Sequence, residues 1–316
     1  MRKVITIAII LFWGYSCQQE ENYEVVYKIA EKDLIPEGIA YSKVTNSFYL
    51  SSIYKKKIVK IDAGTGKFKD FTEPDQLGLQ ILGMMVDDTR KHLWACGNIS
   101  VNEKRISAIF KLDLSTGELI KKYELIDSVY NMFNDLVIDK EGNIFFTNSS
   151  FQTIYKIDHQ NDSITLFYDD EEIKYPNGIS ISPDNNYLYI ASSSNGIKVL
   201  DIDSKKIVNR VNLNFNSKGI DGLKYYKNSI IGVQNYVAVS SDRNISRYFL
   251  NEEGTEIIST EIIDKDNPYF DIPTTCVIVN KSLYCVANSQ LLNISDNYEI
   301  KDENALQDVI ILKYNL

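Results

Sequence analysis

Four side chains with oxygen donors, Glu37, Asn134, Asn177 and Asp221, fall at the same place in a word that the chain repeats six times. Two carboxylates and two amide carbonyls make an all-oxygen set. Such a set suits a hard divalent cation, Ca²⁺ foremost, with Mg²⁺, Mn²⁺ or Zn²⁺ as alternatives. An ion held this way polarises a carbonyl or phosphoryl oxygen and acidifies a water. Asn-Gly and Asp-Gly pairs are also ordinary hairpin-turn signals. The shared register sets these residues apart, because generic turns do not require Glu in one word and Asn after Pro in another.

The words themselves show what must position the four residues. They read IPEGIAYSKVTNSFYLSS from Ile35, ILGMMVDDTRKHLWACG from Ile81 and FNDLVIDKEGNIFFTNS from Phe133. The others are PNGISISPDNNYLYIAS from Pro176, IDGLKYYKNSIIGVQN from Ile220 and PTTCVIVNKSLYCVANS from Pro273. The equivalent positions are Glu37, Leu82, Asn134, Asn177, Asp221 and Thr275, at successive spacings of 45, 52, 43, 44 and 54 residues. That is the period of a four-stranded propeller blade. Each word is a strand, a turn and a strand, and a second strand pair follows, as in KKIVKIDAGTGKFKDF from Lys56. The sequence therefore predicts an all-β, six-bladed β-propeller with four antiparallel strands per blade. The sixth word is followed by one clear strand, DVIILKYNL from Asp308, whereas YEVVYKIA from Tyr23 has no unit of its own. An N-terminal strand closing the ring supplies the missing member and covers two edges. The six equivalent positions then ring one mouth of the central channel. Gly38, Gly178 and Gly222, next to three of them, are expected to let the backbone turn sharply and approach the centre. Loops after the second strands are expected to shape a substrate pocket, with Tyr54, Asn98, Asn148 and Asn235 in its wall.

The N-terminus reads as a processing segment. Arg2 and Lys3 precede an apolar run from Val4 to Trp13, then Gly14-Tyr15-Ser16-Cys17. The run is too short to span a bilayer, and the Cys after a small residue resembles a bacterial lipoprotein cleavage site. Residues 1–16 are expected to be the signal, Cys17 the lipidated residue, 17–22 a tether and 23–316 the propeller. This predicts an extracytoplasmic protein, periplasmic or on the cell surface. It would touch the outer membrane through its lipid anchor only, as a monomer. A formal net charge of −9 without a basic stripe argues against nucleic acid as a partner. Cys96, Cys276 and Cys285 match no zinc spacing or disulfide framework. His92, placed mid-strand, and His159, in a hairpin turn, lie away from the ring. No G-x-S-x-G elbow, Walker loop or H-E-x-x-H motif occurs.

The words PEG, ND, PNG and DG, in that order, resemble those of the regucalcin (senescence marker protein)–gluconolactonase family, relatives of paraoxonases and diisopropylfluorophosphatase. The resemblance extends from about Tyr23 to the end. It implies a central divalent ion, usually calcium, held by Glu37, Asn177 and Asp221, with Asn134 on metal or substrate. It also makes Asp221, at the DG word, the expected catalytic residue, acting as ligand and as general base or nucleophile. Two departures stand out. Gluconolactonase-like members tend to carry Arg where Met132 stands, and paraoxonase-like members use His where Leu82 stands. The expected activity is calcium-dependent hydrolysis of a small-molecule lactone or other ester. The alternative is a non-catalytic, metal-stabilised propeller that binds a glycan, peptide or protein.

Overall fold

The computed structural model describes residues 22–101, 104–125, 129–210, 214–235 and 243–316. The expected signal, Cys17 and nearly all of the tether lie outside them. The described residues form six four-stranded antiparallel sheets. Blade one holds β2 (Ile39–Ser42), β3 (Ser47–Ser51), β4 (Ile58–Asp62) and β5 (Phe68–Asp70), and blade two holds β6 (Gln80–Asp87), β7 (His92–Val101), β8 (Lys104–Asp113) and β9 (Leu119–Leu125). Blade three runs from β10 (Phe133–Ile138) through β11 (Ile144–Asn148) and β12 (Thr153–Asp158) to β13 (Ser163–Asp169). Blade four comprises β14 (Pro176–Ile181), β15 (Tyr187–Ser192), β16 (Gly196–Asp201) and β17 (Lys206–Ile207). Blade five comprises β18 (Ile220–Tyr225), β19 (Ser229–Gln234), β20 (Asn244–Leu250) and β21 (Ile257–Lys265). The sixth sheet runs β22 (Cys276–Val279), β23 (Ser282–Val286), β24 (Val309–Asn315) and finally β1 (Tyr23–Ile29). The N-terminal strand therefore closes the ring as expected, pairing antiparallel with β24 from Tyr23↔Tyr314 to Ile29↔Val309.

Burial follows distance from the axis. The second strands β3, β11 and β19 are buried at every residue. They are covered on both faces by neighbouring blades, which is why they read as nearly continuous apolar runs. The outermost strands alternate weakly and face water; β5 is exposed throughout. Each fully buried Ile, Leu or Phe contributes about 1.5–3 kcal/mol relative to exposure. The third and fourth strands are joined by Asp-anchored turns. Asp62 Oδ1 accepts from the backbone N–H of Gly64 and Thr65, and Asp113 and Asp158 hold their turns in the same way. His92 opens β7 instead of lying mid-strand, and it pairs with Asp87.

The innermost strands contact one another in a closed cycle around the axis. In four of them the ladder slips at the ring position. The register breaks between Ile81 and Met84, Phe133 and Leu136, Pro176 and Ile179, and Ile220 and Leu223. The two skipped residues are Leu82-Gly83, Asn134-Asp135, Asn177-Gly178 and Asp221-Gly222. A bulge of this kind re-aims a side chain out of the pleat. The ring residues thus leave their sheets, and the hairpin-turn reading of Asn177-Gly178 and Asp221-Gly222 is excluded.

The glycines act differently from expectation. Gly38, Gly178 and Gly222 are not in the left-handed region, so no sharp turn depends on them. Space between blades is what requires them. A Cβ on Gly38 would lie 2.3 Å from the Leu82 carbonyl oxygen, and one on Gly178 would lie 2.4 Å from that of Asp221. Gly83 and Gly222 face the next blade equally closely, at Asn134 O and Thr275 Cα. Each missing side chain is the slot into which the next ring residue's backbone fits.

Candidate metal centre and substrate cavity

Around one mouth of the channel, Glu37, Asn134, Asn177 and Asp221 line a single cavity of about 500 Å³. Side chains of neighbouring blades hold the backbone of Glu37 and Asn177, and that of Phe133 next to Asn134, from outside the cavity. The Thr274 and Thr275 hydroxyls both donate to the Glu37 carbonyl, at 2.7 and 2.8 Å. Thr147 Oγ1 donates to the Asn177 carbonyl at 2.8 Å. Asn98 clamps Phe133, donating to its carbonyl at 2.7 Å and accepting from its N–H at 2.8 Å. Thr275, the ring residue of the sixth word, therefore fixes the position of Glu37 across the closure of the propeller.

The donor set is charged, buried and incompletely satisfied. Glu37 Oε2, Asn134 Oδ1 and Asn177 Oδ1 are buried with no hydrogen-bond partner. Buried acceptors of this kind are costly unless something positive meets them. Burial, then the charges of Asp221 and Asp135, push Glu37 well above the ordinary carboxylate range, with Lys224 opposing. Asp221 is pushed up to about 7, chiefly by burial; hydrogen bonds from Asn235 and Asn177 oppose this, and Asp135 adds to it. Asn235 Nδ2 donates to Asp221 Oδ2 at 2.5 Å. Among the described residues no group of three or more His, Cys, Asp or Glu side chains is placed to hold a metal. The set at the mouth depends on amide oxygens as much as on carboxylates. Three unpartnered acceptor oxygens beside a second carboxylate fit a hard cation, and they fit no zinc-type nitrogen or sulfur site.

The four expected pocket residues separate. Asn98 and Asn235 line the cavity, though the amides of both are already engaged. Asn148 is fully buried outside the lining; its Oδ1 accepts from Met132 N–H at 2.9 Å and its Nδ2 donates to Asn131 Oδ1. Tyr54 is likewise outside the lining, packed against the apolar cluster of blades one to three. Both were expected on the wall as loop residues after second strands, but Asn148 is the last residue of β11, bonded into the scaffold, and the Tyr54 side chain packs on the apolar cluster.

Two features were not anticipated. Asp135, almost completely buried, accepts Lys224 Nζ at 3.2 Å and also accepts the N–H groups of Leu136 and Ile179. Lys224 lines a separate cavity of about 330 Å³ together with Ala40, Met85, Val137, Ser180 and Ile278. The ion pair thus plugs the axis beneath the ring. The words did carry the signal: the residue after each ring position is Gly in four words but Asp135 in the third. Three positions after the ring residue, Lys224 stands alone among uncharged side chains. The second feature is the connection between β23 and β24, which carries no repeat word. It brings Leu291, Ile294, Asp296 and Tyr298 into the cavity wall.

The family model described as SMP-30/Gluconolactonase/LRE-like region matches residues 35–271. A lactonohydrolase (oryL) of Aspergillus oryzae is 23% identical over 214 residues, covering 60% of this chain and 49% of the relative. The chain thus spans about half the length of that curated relative. Among solved structures, a gluconolactonase from Xanthomonas campestris superposes with TM-score 0.63 at 13% identity, over 93% of this chain and 89% of that one. A calcium-binding protein, regucalcin, from Agrobacterium tumefaciens superposes with TM-score 0.60 at 15% identity, over 91% and 92%. At these identities the two structures attest the shared propeller.

Proposed function

The chain belongs to the SMP-30/Gluconolactonase/LRE-like family, and from that premise we propose that it is a divalent-metal-dependent hydrolase of lactones or other esters, with calcium as the metal. The observation that carries the reading is the trio of buried, unpartnered oxygens Glu37 Oε2, Asn134 Oδ1 and Asn177 Oδ1 beside Asp221 in one cavity. Those four residues would hold the cation, which when bound supplies Lewis acidity toward the substrate carbonyl. The side chains do the rest. Asp221, kept in place by Asn235, takes the proton of the attacking water. Water's oxygen forms the new bond to the acyl carbon, the ring C–O bond breaks, and the proton passes to the departing alkoxide to give a hydroxy acid. Asn134 and Asn177 would orient the cation and help stabilise the negative charge that develops on the carbonyl oxygen.

Asp221→Asn tests this. Turnover of a panel of lactones and aryl esters should fall by about 10²-fold or more, and in the unmodified protein it should vanish with EDTA and return with calcium. Full activity in the variant would sink the mechanism. Metal-dependent thermal stability without turnover of any substrate would favour the binding reading, to which the absence of a guanidinium at Met132 and an imidazole at Leu82 lends weight.

The N-terminal pattern supports an extracytoplasmic location with lipid at Cys17, the propeller working as a monomer at a bacterial, outer-membrane surface. Cys17→Ser should shift the protein from the membrane to the soluble fraction of expressing cells. Unchanged membrane fractionation would count against the anchor.

A further inference from the structure

Building on the hydrolase reading, we propose that the group beside the scissile bond is apolar: the cavity takes an uncharged lactone or ester with a hydrocarbon tail, not a polyhydroxylated or acidic one. Ile53, Leu82, Met132, Leu291 and Ile294 form one wall, and the last two arrive on the sixth-blade connection folded across the mouth. Tyr130 and Tyr298 complete this wall and hydrogen-bond to each other, which occupies one donor and one acceptor site of the pair. Hydroxyl groups on a substrate would find few partners. Asn98 is spent at both ends on the Phe133 backbone, and the Asn235 amide donates to Asp221. With Asn134 and Asn177 facing the cation position, the other neutral polar side chains of the lining are Gln80 and Ser295. A substrate hydroxyl left without a partner in such a site weakens binding steeply. Charge points the same way. Among the described residues the ionisable lining consists of acids, Glu37, Asp221 and Asp296, and the two tyrosines, with no Lys, Arg or His. A carboxylate or phosphate on the substrate would have only the cation to meet and would face Asp296 at the rim. The apolar wall instead rewards a hydrocarbon tail by burying it.

The test uses the full chain loaded with calcium and two matched series. The first is a δ-lactone whose alkyl tail is lengthened one methylene at a time, alongside the fully hydroxylated and the carboxylate-bearing rings. kcat/KM should rise about three- to fourfold per buried methylene until the wall is filled, and both polar rings should fall below the unsubstituted one. The second series is the corresponding lactams, which resist hydrolysis, measured by calorimetric binding; the same order should appear. Ile294→Ser should narrow the ratio between tailed and tail-less compounds in whichever series gives a signal. Binding preference for tailed lactams without turnover of any lactone would sustain the apolar site and sink the hydrolase reading. Turnover that favours the hydroxylated ring would do the reverse. A flat response to tail length in both series overturns the inference, as does an unchanged ratio in Ile294→Ser.

Discussion

At the scale of residues, the mouth of this propeller is an arrangement of negative charge and unpartnered oxygen held under compression by burial. Glu37 and Asp221 repel each other, and Asp135 adds to both. Among the described residues the cation that faces them is Lys224, 89 residues from its partner Asp135 in sequence. Lys224→Met should therefore destabilise the protein through what it leaves behind, a buried Asp135 without a counter-charge. The loss expected from breaking a buried pair is about 3–5 kcal/mol, toward the lower end because Lys224 is partly exposed. Asp135→Asn in the same chain should restore much of it. Thermal or urea melts of the two single variants and the double variant give the coupling directly. Equal losses for the single and double variants would show that the pair is incidental. Asp135 was legible in hindsight, an acid where four sister words have Gly. Its partner was legible only as an odd charge, because which two odd residues meet depends on how the blades wind around the axis.

At the scale of elements, the device that makes the site is a bulge repeated in four inner strands, with a glycine behind the ring residue in three of them. Period-2 alternation predicts a straight ladder. It hides a slip that puts two residues opposite one and sends one side chain to the axis. The glycine is the readable trace of that slip, but its reason is the backbone of the next blade, 2.4 Å from where a Gly178 Cβ would sit. Gly178→Ala should thus push β14 and β18 apart and displace Asp221. An overpacking cost of about 1–3 kcal/mol is expected, with a weaker response of melting temperature to added calcium. Calorimetric melts with calcium and with EDTA would show it. A stability loss with an undiminished calcium response would mean that the blades relax without moving the ring. The connection between β23 and β24 illustrates the opposite limit. Its sequence shows no periodicity, and its role as cavity wall comes entirely from contacts with Ile53, Leu82 and Met132 in other blades.

At the scale of the whole molecule, stability depends on closing a ring of sheets that are each held mainly by their neighbours. The closure is β1 on β24, and its inner end carries the burial. Ile29 is fully buried in the cluster that joins blades six and one, whereas Val25 at the outer end is substantially exposed. Ile29→Ala should cost about 2–5 kcal/mol, and Val25→Ala should stay within about 0.5 kcal/mol. Equilibrium urea unfolding would measure both. Similar effects at the two positions would contradict closure by inward packing. Closure also has a functional side, since Thr274 and Thr275 of the last blade hold the carbonyl of Glu37 in the first. Weakening the seam is expected to loosen Glu37, the first of the proposed metal ligands.

Periodicity, turn chemistry and the shared register of Glu37, Asn134, Asn177 and Asp221 were all present in the sequence, because each is a local property repeated at blade length. They suffice for an all-β propeller of six blades and for an oxygen-rich mouth. The tertiary structure alone decided which of those oxygens are left without partners, that Asn148 and Tyr54 belong to the scaffold, and that Asp135 and Lys224 plug the channel. It also decided that an apolar segment from the last blade walls the cavity. Each of these is a meeting of side chains from different blades. Such meetings are set by the curvature and closure of the ring, which no window of sequence contains.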